Sequence, residues 1–174
     1  MAISIESFRM PRYEEIPDMG LYLDQTIKYI NRQLQPLGSM EITSSMVSNY
    51  VKKGYIENPV KKQYNAEQIA SLLFIAIAKS VLSMDSIALM MQMQREAYAS
   101  QTAYNYFCDE MENTFRFLFG LQPELKILGQ SNTELKSMLR SVIVAVANVI
   151  YVNDKLENPE PVIEELKHMK NGTV

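Results

Sequence analysis

The sequence predicts an almost entirely helical protein with one very small β element, on three observations. Apolar residues recur at helical spacing along most of the 174 residues. Capping residues open those runs, and glycine or proline closes them. Only Tyr55 to Tyr64, which contains Pro59, is too short for a helix and shows an alternation suited to a tiny hairpin.

Taken in order, Met1 to Gly20 holds Pro11 and Pro17 without a clear period and reads as an extended arm with a turn of helix at most. Leu23, Ile27, Ile30 and Leu34 then mark a helix over Leu21 to Gln35, ended by Pro36 and Gly38. Ile42, Met46, Val47, Tyr50 and Val51 form the next stripe, capped by Thr43 or Ser44 and closed by Gly54 in the C′ position. Asn65, with Gln68 three residues on, makes a capping-box pattern before the apolar run Ile69 to Leu82. Ser83-Met84-Asp85 opens another helix, which continues or bends near Ala97 on its way to Gly120. Ser131 or Asn132 caps a long helix from Thr133 to about Asp154. Its centre, Val142 to Ile150, is apolar nearly all round, so it is expected to be the central helix of the C-terminal part. Asn158-Pro159 opens a last helix that closes with Lys167, His168, Lys170 and Gly172.

Composition narrows the function classes. Apolar content is 47%, enough for a packed core. The single cysteine, Cys108, and single histidine, His168, allow neither an internal disulfide nor a Cys/His zinc site. A reduced, cytoplasmic setting is expected. Met1 to Pro11 lacks an apolar signal core. The longest apolar stretch, Val142 to Val152, is interrupted by Asn148 and is shorter than the ~20 residues a membrane span needs. The sequon Asn171-Gly172-Thr173 carries no meaning without secretion. Catalysis finds no support either. There is no Gly-rich phosphate loop, the lone histidine lies in the terminal helix, and Glu110 and Glu112 are two apart and face different sides of a helix. No cofactor is expected.

Charge is distributed unevenly. The net charge is -3. Residues 1–24 carry two basic against five acidic side chains, residues 25–80 seven against three, and residues 81–174 eight against twelve. The positive charge is confined to one contiguous third of the chain.

That third holds the segment richest in functional signal. Ser44, Ser45, Ser48 and Asn49 put short polar side chains on a helix face, which lets a helix approach base edges, and asparagine suits bidentate contact with adenine. Lys52 and Lys53 at the helix end, with Lys61 and Lys62 in the hairpin, would neutralise phosphates on either side. Gln63 completes the basic hairpin strand; Tyr50 and Tyr64 either touch the backbone with their hydroxyls or hold the hairpin to the core.

The stretch from Thr43 to Ile75 resembles the MerR family of transcription regulators. Tyr50, Gly54, Pro59, Tyr64, Glu67, Ile69, Leu72, Phe74 and Ile75 fall in the matching order, and Leu82 to Ile87 resembles the family's next helix start. The similarity covers about residues 42–90. The chain is also similar to a domain-of-unknown-function family of Gram-positive bacteria. That likeness lies in Leu21-Tyr22-Leu23-Asp24-Gln25, Asn49-Tyr50-Val51-Lys52 and Pro59-Val60-Lys61-Lys62, and it covers most of residues 10–150. This resemblance implies a transcription regulator. Departures from the MerR pattern are Ser48 where an arginine is usual, a shorter wing with lysines for arginines, and no evident long dimerisation helix with cysteine ligands.

The expectation is therefore an all-α protein with a tiny β wing. It comprises an N-terminal arm (1–20), a MerR-like winged helix-turn-helix that binds duplex DNA (21–92) and a helical bundle for dimerisation or effector binding (93–174). Ser44 to Lys53 would enter the major groove and Val60 to Tyr64 would lie on the backbone. The resemblance implies a homodimer on paired half-sites. The aromatics Tyr98, Tyr104, Tyr106, Phe107, Phe115, Phe117 and Phe119 build a core or dimer interface, or line a pocket for a small-molecule effector. Two other classes stay open: a helical protein-interaction module, and a ligand sensor whose DNA contact is secondary.

Overall fold

The computed structural model describes residues 5–38, 40–129 and 131–172. The first four residues of the predicted arm, and Thr173 of the sequon, lie outside them. Among the described residues there are seven α-helices and a two-stranded ribbon. They are α1 (Leu23–Leu34), α2 (Ser44–Lys52), α3 (Ala66–Ala78), α4 (Met84–Ala97), α5 (Ser100–Leu118), α6 (Glu134–Glu157) and α7 (Glu160–Gly172). The ribbon pairs β1 (Leu21–Tyr22) antiparallel with β2 (Gln63–Tyr64), Leu21 opposite Tyr64 and Tyr22 opposite Gln63. The chain is thus mostly helical, as its apolar periodicity predicts.

Local chemistry sets most boundaries. Asn65 and Gln68 form a reciprocal capping box, Gln68 N–H donating to Asn65 Oδ1 and Asn65 N–H to Gln68 Oε1, each at 2.9 Å. Ser83 Oγ accepts from Ser86 N–H and starts α4. Tyr98 turns to extended backbone (φ -144°), which separates α4 from α5. The last long helix is capped by Thr133 rather than by Ser131 or Asn132. Thr133 has the extended backbone of a cap, and its Oγ1 accepts from Lys136 N–H at 3.3 Å.

α3 lies at the centre. Ten of its residues are buried, and it packs against α1, α4, α5 and α6. Within the C-terminal part, where α6 was expected to be central, α5 buries eight residues and α6 four. α6 buries Ile143, Val146, Ala147 and Ile150 and leaves Val144, Val149 and Val152 exposed. The buried four recur at i, i+3, i+4 and i+7, so one stripe meets the core and the rest of the apolar surface turns outward. By length and composition alone α6 could cross a membrane, a possibility that Val142 to Val152 did not suggest. Over residues 160–170 of α7, none is buried.

The arm is part of the core. Ile5, Phe8, Met10 and Ile16 are buried, and Phe8 meets Phe115 of α5 edge to face at 5.4 Å between ring centroids. A 3₁₀ turn at Tyr13–Glu15 sets Tyr13 N–H to donate to Asn105 Oδ1 at 2.8 Å. One continuous set of buried apolar side chains runs from Ile5 to Ile150.

Candidate functional site

α2 is amphipathic over only nine residues. Val47 and Tyr50 turn into the core, while Ser44, Ser45, Ser48, Asn49 and Lys52 share the exposed face. Its entry is fixed by Asn31 of α1. The Asn31 amide accepts from Ile42 N–H at 2.9 Å and donates to Ile42 O at 3.0 Å. Thr43 Oγ1 then caps the helix by accepting from Met46 N–H.

The exit is a Schellman turn. Gly54 N–H donates to Val51 O, Tyr55 N–H donates to Tyr50 O, and Gly54 takes φ +77° in the C′ position. Tyr55 Oη then donates to Asp85 Oδ1 at 2.6 Å, tying the end of α2 to the start of α4.

The wing is smaller than a hairpin with two strands of its own. Val60 bridges Gln63 around a four-residue turn closed by Gln63 N–H to Val60 O at 2.9 Å. Both central residues are left-handed, Lys61 at φ +50° and Lys62 at φ +65°. That is the sense of a type I′ turn, normally the territory of Asn and Gly. The partner of β2 is β1, which lies far back in the chain before α1. Gly20 (φ +85°) leads into β1, and a Cβ there would stand 3.0 Å from Gln63 Cβ. The loop before the wing is held by Gln68, whose Nε2 donates to Glu57 O at 3.0 Å.

Eight of the predicted site residues are exposed: Ser44, Ser45, Ser48, Asn49, Lys52, Lys53, Lys61 and Lys62. Gln63 is half-buried. Tyr50 and Tyr64 are buried at 5% and 4% exposure, which raises both phenol pKa values and assigns these side chains to packing rather than to the exposed face. Among the described residues, no hydrogen bond or ion pair engages the side chains of Lys52, Lys53, Lys61 or Lys62. The same holds for Lys28 and Arg32, exposed one turn apart on α1, which were counted in the basic third but not singled out. Their i, i+4 spacing was the available signal. Lys79 differs: it is half-buried, its ammonium donates to Glu41 O at 3.0 Å, and burial lowers its pKa.

Elsewhere the reactive groups are quiet. Burial pushes the Cys108 thiol up to about 12. Among the described residues, no cluster of three His, Cys, Asp or Glu side chains is placed to hold a metal ion.

A family model described as Domain of unknown function (DUF1836) matches residues 11–107, and the chain belongs to that family. No curated protein and no solved structure matches the chain significantly.

Proposed function

We propose that this family member is a DNA-binding transcription regulator that reads duplex DNA through α2 and the Lys61-Lys62 wing tip. One observation carries the reading. Four lysines without partners among the described residues lie on and beside an exposed helix face whose other side chains are Ser and Asn, in a chain whose net charge is negative. A solvated edge of the molecule has no need to hold two lysines in left-handed backbone. A tip that must present both ammonium groups to phosphates does.

Topology supports the same reading. The order α1, α2, wing, α3, α4 is the order expected of a MerR-like winged helix-turn-helix. In this reading Ser48 and Asn49 face base edges, and Lys52, Lys53, Lys61 and Lys62 meet phosphates. Tyr50 and Tyr64 serve as packing residues behind them.

We place the protein in the cytoplasm as a homodimer. The exposed apolar side chains of α6 and α7, among them Val152, Leu156, Val162 and Leu166, supply the dimer face. Membrane insertion of α6 is the poorer account of that surface. Arg140 lies within α6 and is ion-paired to the buried carboxylate of Glu110 on α5.

Titration with duplex carrying the gene's own upstream region, at several salt concentrations, tests the reading. Four phosphate contacts per protomer predict that log affinity falls against log salt with a slope of about -3.6 per protomer. Affinity at background level even at low salt would instead favour a protein-interaction module. Asn49→Ala should narrow the gap between specific and random duplex.

A further inference from the structure

We propose that the cavity lined by α3, α4, α5 and α6 is a binding site for a small molecule with a flat apolar body and one carboxylate. The cavity measures about 180 Å³. An apolar cavity of about 150 Å³ is enough to take up benzene, so this one holds a substituted ring or a fused pair. Its walls include Phe74 of α3, Met90 and Met91 of α4, Tyr104 of α5 and Leu139 of α6. Methionine thioethers beside aromatic faces make an adaptable, polarisable lining suited to a flat guest.

The polar lining gives the ligand its sign. Lys136 of α6 reaches the cavity with its ammonium 5.1 Å from the Tyr106 ring centroid and 6.0 Å from that of Tyr98. Two hydrogen bonds, to Ser131 O at 3.1 Å and Ser131 Oγ at 3.0 Å, hold that ammonium in place and leave one of its three protons for a guest. Arg95, on the last turn of α4, also lines the cavity and has no hydrogen-bond or ion-pair partner among the described residues. The only acid on the lining is Glu67, which already accepts from Ser100 Oγ at 2.6 Å. Two cations against one occupied carboxylate select an anion.

Two of the three tyrosine hydroxyls around the cavity, those of Tyr98 and Tyr106, are committed elsewhere, while the buried hydroxyl of Tyr104 has no hydrogen-bond partner among the described residues. Tyr106 Oη donates to Glu110 and accepts from Arg140, and Tyr98 Oη pairs with Thr133 Oγ1. The Tyr98 and Tyr106 rings are thus fixed as apolar walls, and recognition of charge is left to Lys136 and Arg95.

The probe is 1-naphthoate, with the neutral isostere 1-naphthamide as its control. Both are titrated calorimetrically and by NMR of methyl-labelled methionine. The site predicts saturable naphthoate binding, shifts at Met90 and Met91, none at exposed Met19, and naphthamide weaker by about tenfold or more. Lys136→Met and Arg95→Gln should each weaken naphthoate about tenfold while leaving naphthamide unchanged. Ala103→Phe, or Ala70→Leu if that variant fails to melt cooperatively, should abolish both by filling the space. The proposal is overturned by any of four results. These are no saturable binding at millimolar naphthoate, equal affinity for the amide, binding that survives Lys136→Met undiminished, or shifts confined to surface methionines. None of these readouts involves DNA.

Discussion

Glu110 and Glu112 stand two residues apart on α5 and hold opposite sides of the molecule. Glu112 Oε1 accepts from Met10 N–H at 2.9 Å and from Arg12 Nη1 at 2.7 Å, while its Oε2 accepts from Arg12 Nη2 at 3.0 Å. Glu110 Oε1 accepts from Arg140 Nε at 2.9 Å and from the Tyr106 hydroxyl. One carboxylate fastens the N-terminal arm, the other α6. α5 is therefore the post between the segment that precedes the proposed DNA reader and the helices that follow it.

The two carboxylates differ in burial, and their removal should differ accordingly. Glu110 keeps 4% of its side chain exposed against 21% for Glu112. Glu110→Ala empties a buried site and takes a partner from both Arg140 and the Tyr106 hydroxyl, and should cost about 3 kcal/mol. Glu112→Ala takes the partner from Arg12 and from Met10 N–H at the more exposed of the two carboxylates, and should cost about 2 kcal/mol. Urea denaturation of both variants measures the difference. Equal costs would mean that burial does not set the strength of these clamps.

The wing tip should trade stability against binding. Lys61 and Lys62 occupy backbone that a Cβ disfavours. Lys61→Asn with Lys62→Gly relieves that strain and should raise stability by about 1–2 kcal/mol. The same pair removes two of the four proposed phosphate contacts. The salt slope of duplex binding should therefore become shallower by about 1.8 per protomer. A gain in stability with an unchanged slope would leave the turn explained but remove it from the DNA contacts.

Features decided by neighbours in sequence were legible, and features decided by distant partners were not. Gly54, the Asn65–Gln68 box and Ser83 could be read because each satisfies a backbone group within a few residues. The choice of Thr133 over Asn132 depended on which residue turned extended, and adjacent capping residues give no sign of that. β1 was read as the start of a helix. Two residues carry no period, and their partner Gln63–Tyr64 lies on the far side of α1 and α2. The outward face of α6 was hidden because Val142 to Ile150 is apolar on every side, so only packing against α5 and α3 selects its buried stripe. At the candidate site, the polar face of α2 followed from helical spacing. The free state of Lys28 and Arg32 required knowing that no acid reaches ion-pair distance, Asp24 one turn before Lys28 included.

Alkaline pH should weaken the fold through Cys108. Burial raises its thiol to about 12, and burial ahead of the Glu110 hydrogen bond raises the Tyr106 phenol to about 12. Unfolded thiols and phenols ionise near ~8.5 and ~10. Stability from keeping both groups neutral is therefore fully present below about pH 8.5 and is lost as pH rises toward about 12. Denaturant midpoints at pH 7, 9 and 10.5 should fall in that order, and Cys108→Ala should flatten the first step. In native protein at pH 8 the thiol should react with a disulfide reagent only at the rate of unfolding.

α7 tests how the C-terminal helices are used. Val162, Ile163, Leu166 and Met169 recur at i, i+1, i+4 and i+7, the stripe a helix keeps when it packs, yet each is at least 40% exposed. In the monomer that stripe contributes little to the core. Leu166→Glu should then leave the urea midpoint at low protein concentration within about 0.5 kcal/mol of the parent. If α6 and α7 form the dimer face, the same change buries a charge at the interface and should shift sedimentation from dimer to monomer at micromolar concentration. Adding Val152→Glu on α6 should complete the shift. A parent chain that already sediments as a monomer at high concentration would assign this stripe away from self-association, and duplex binding would then involve one wing per site.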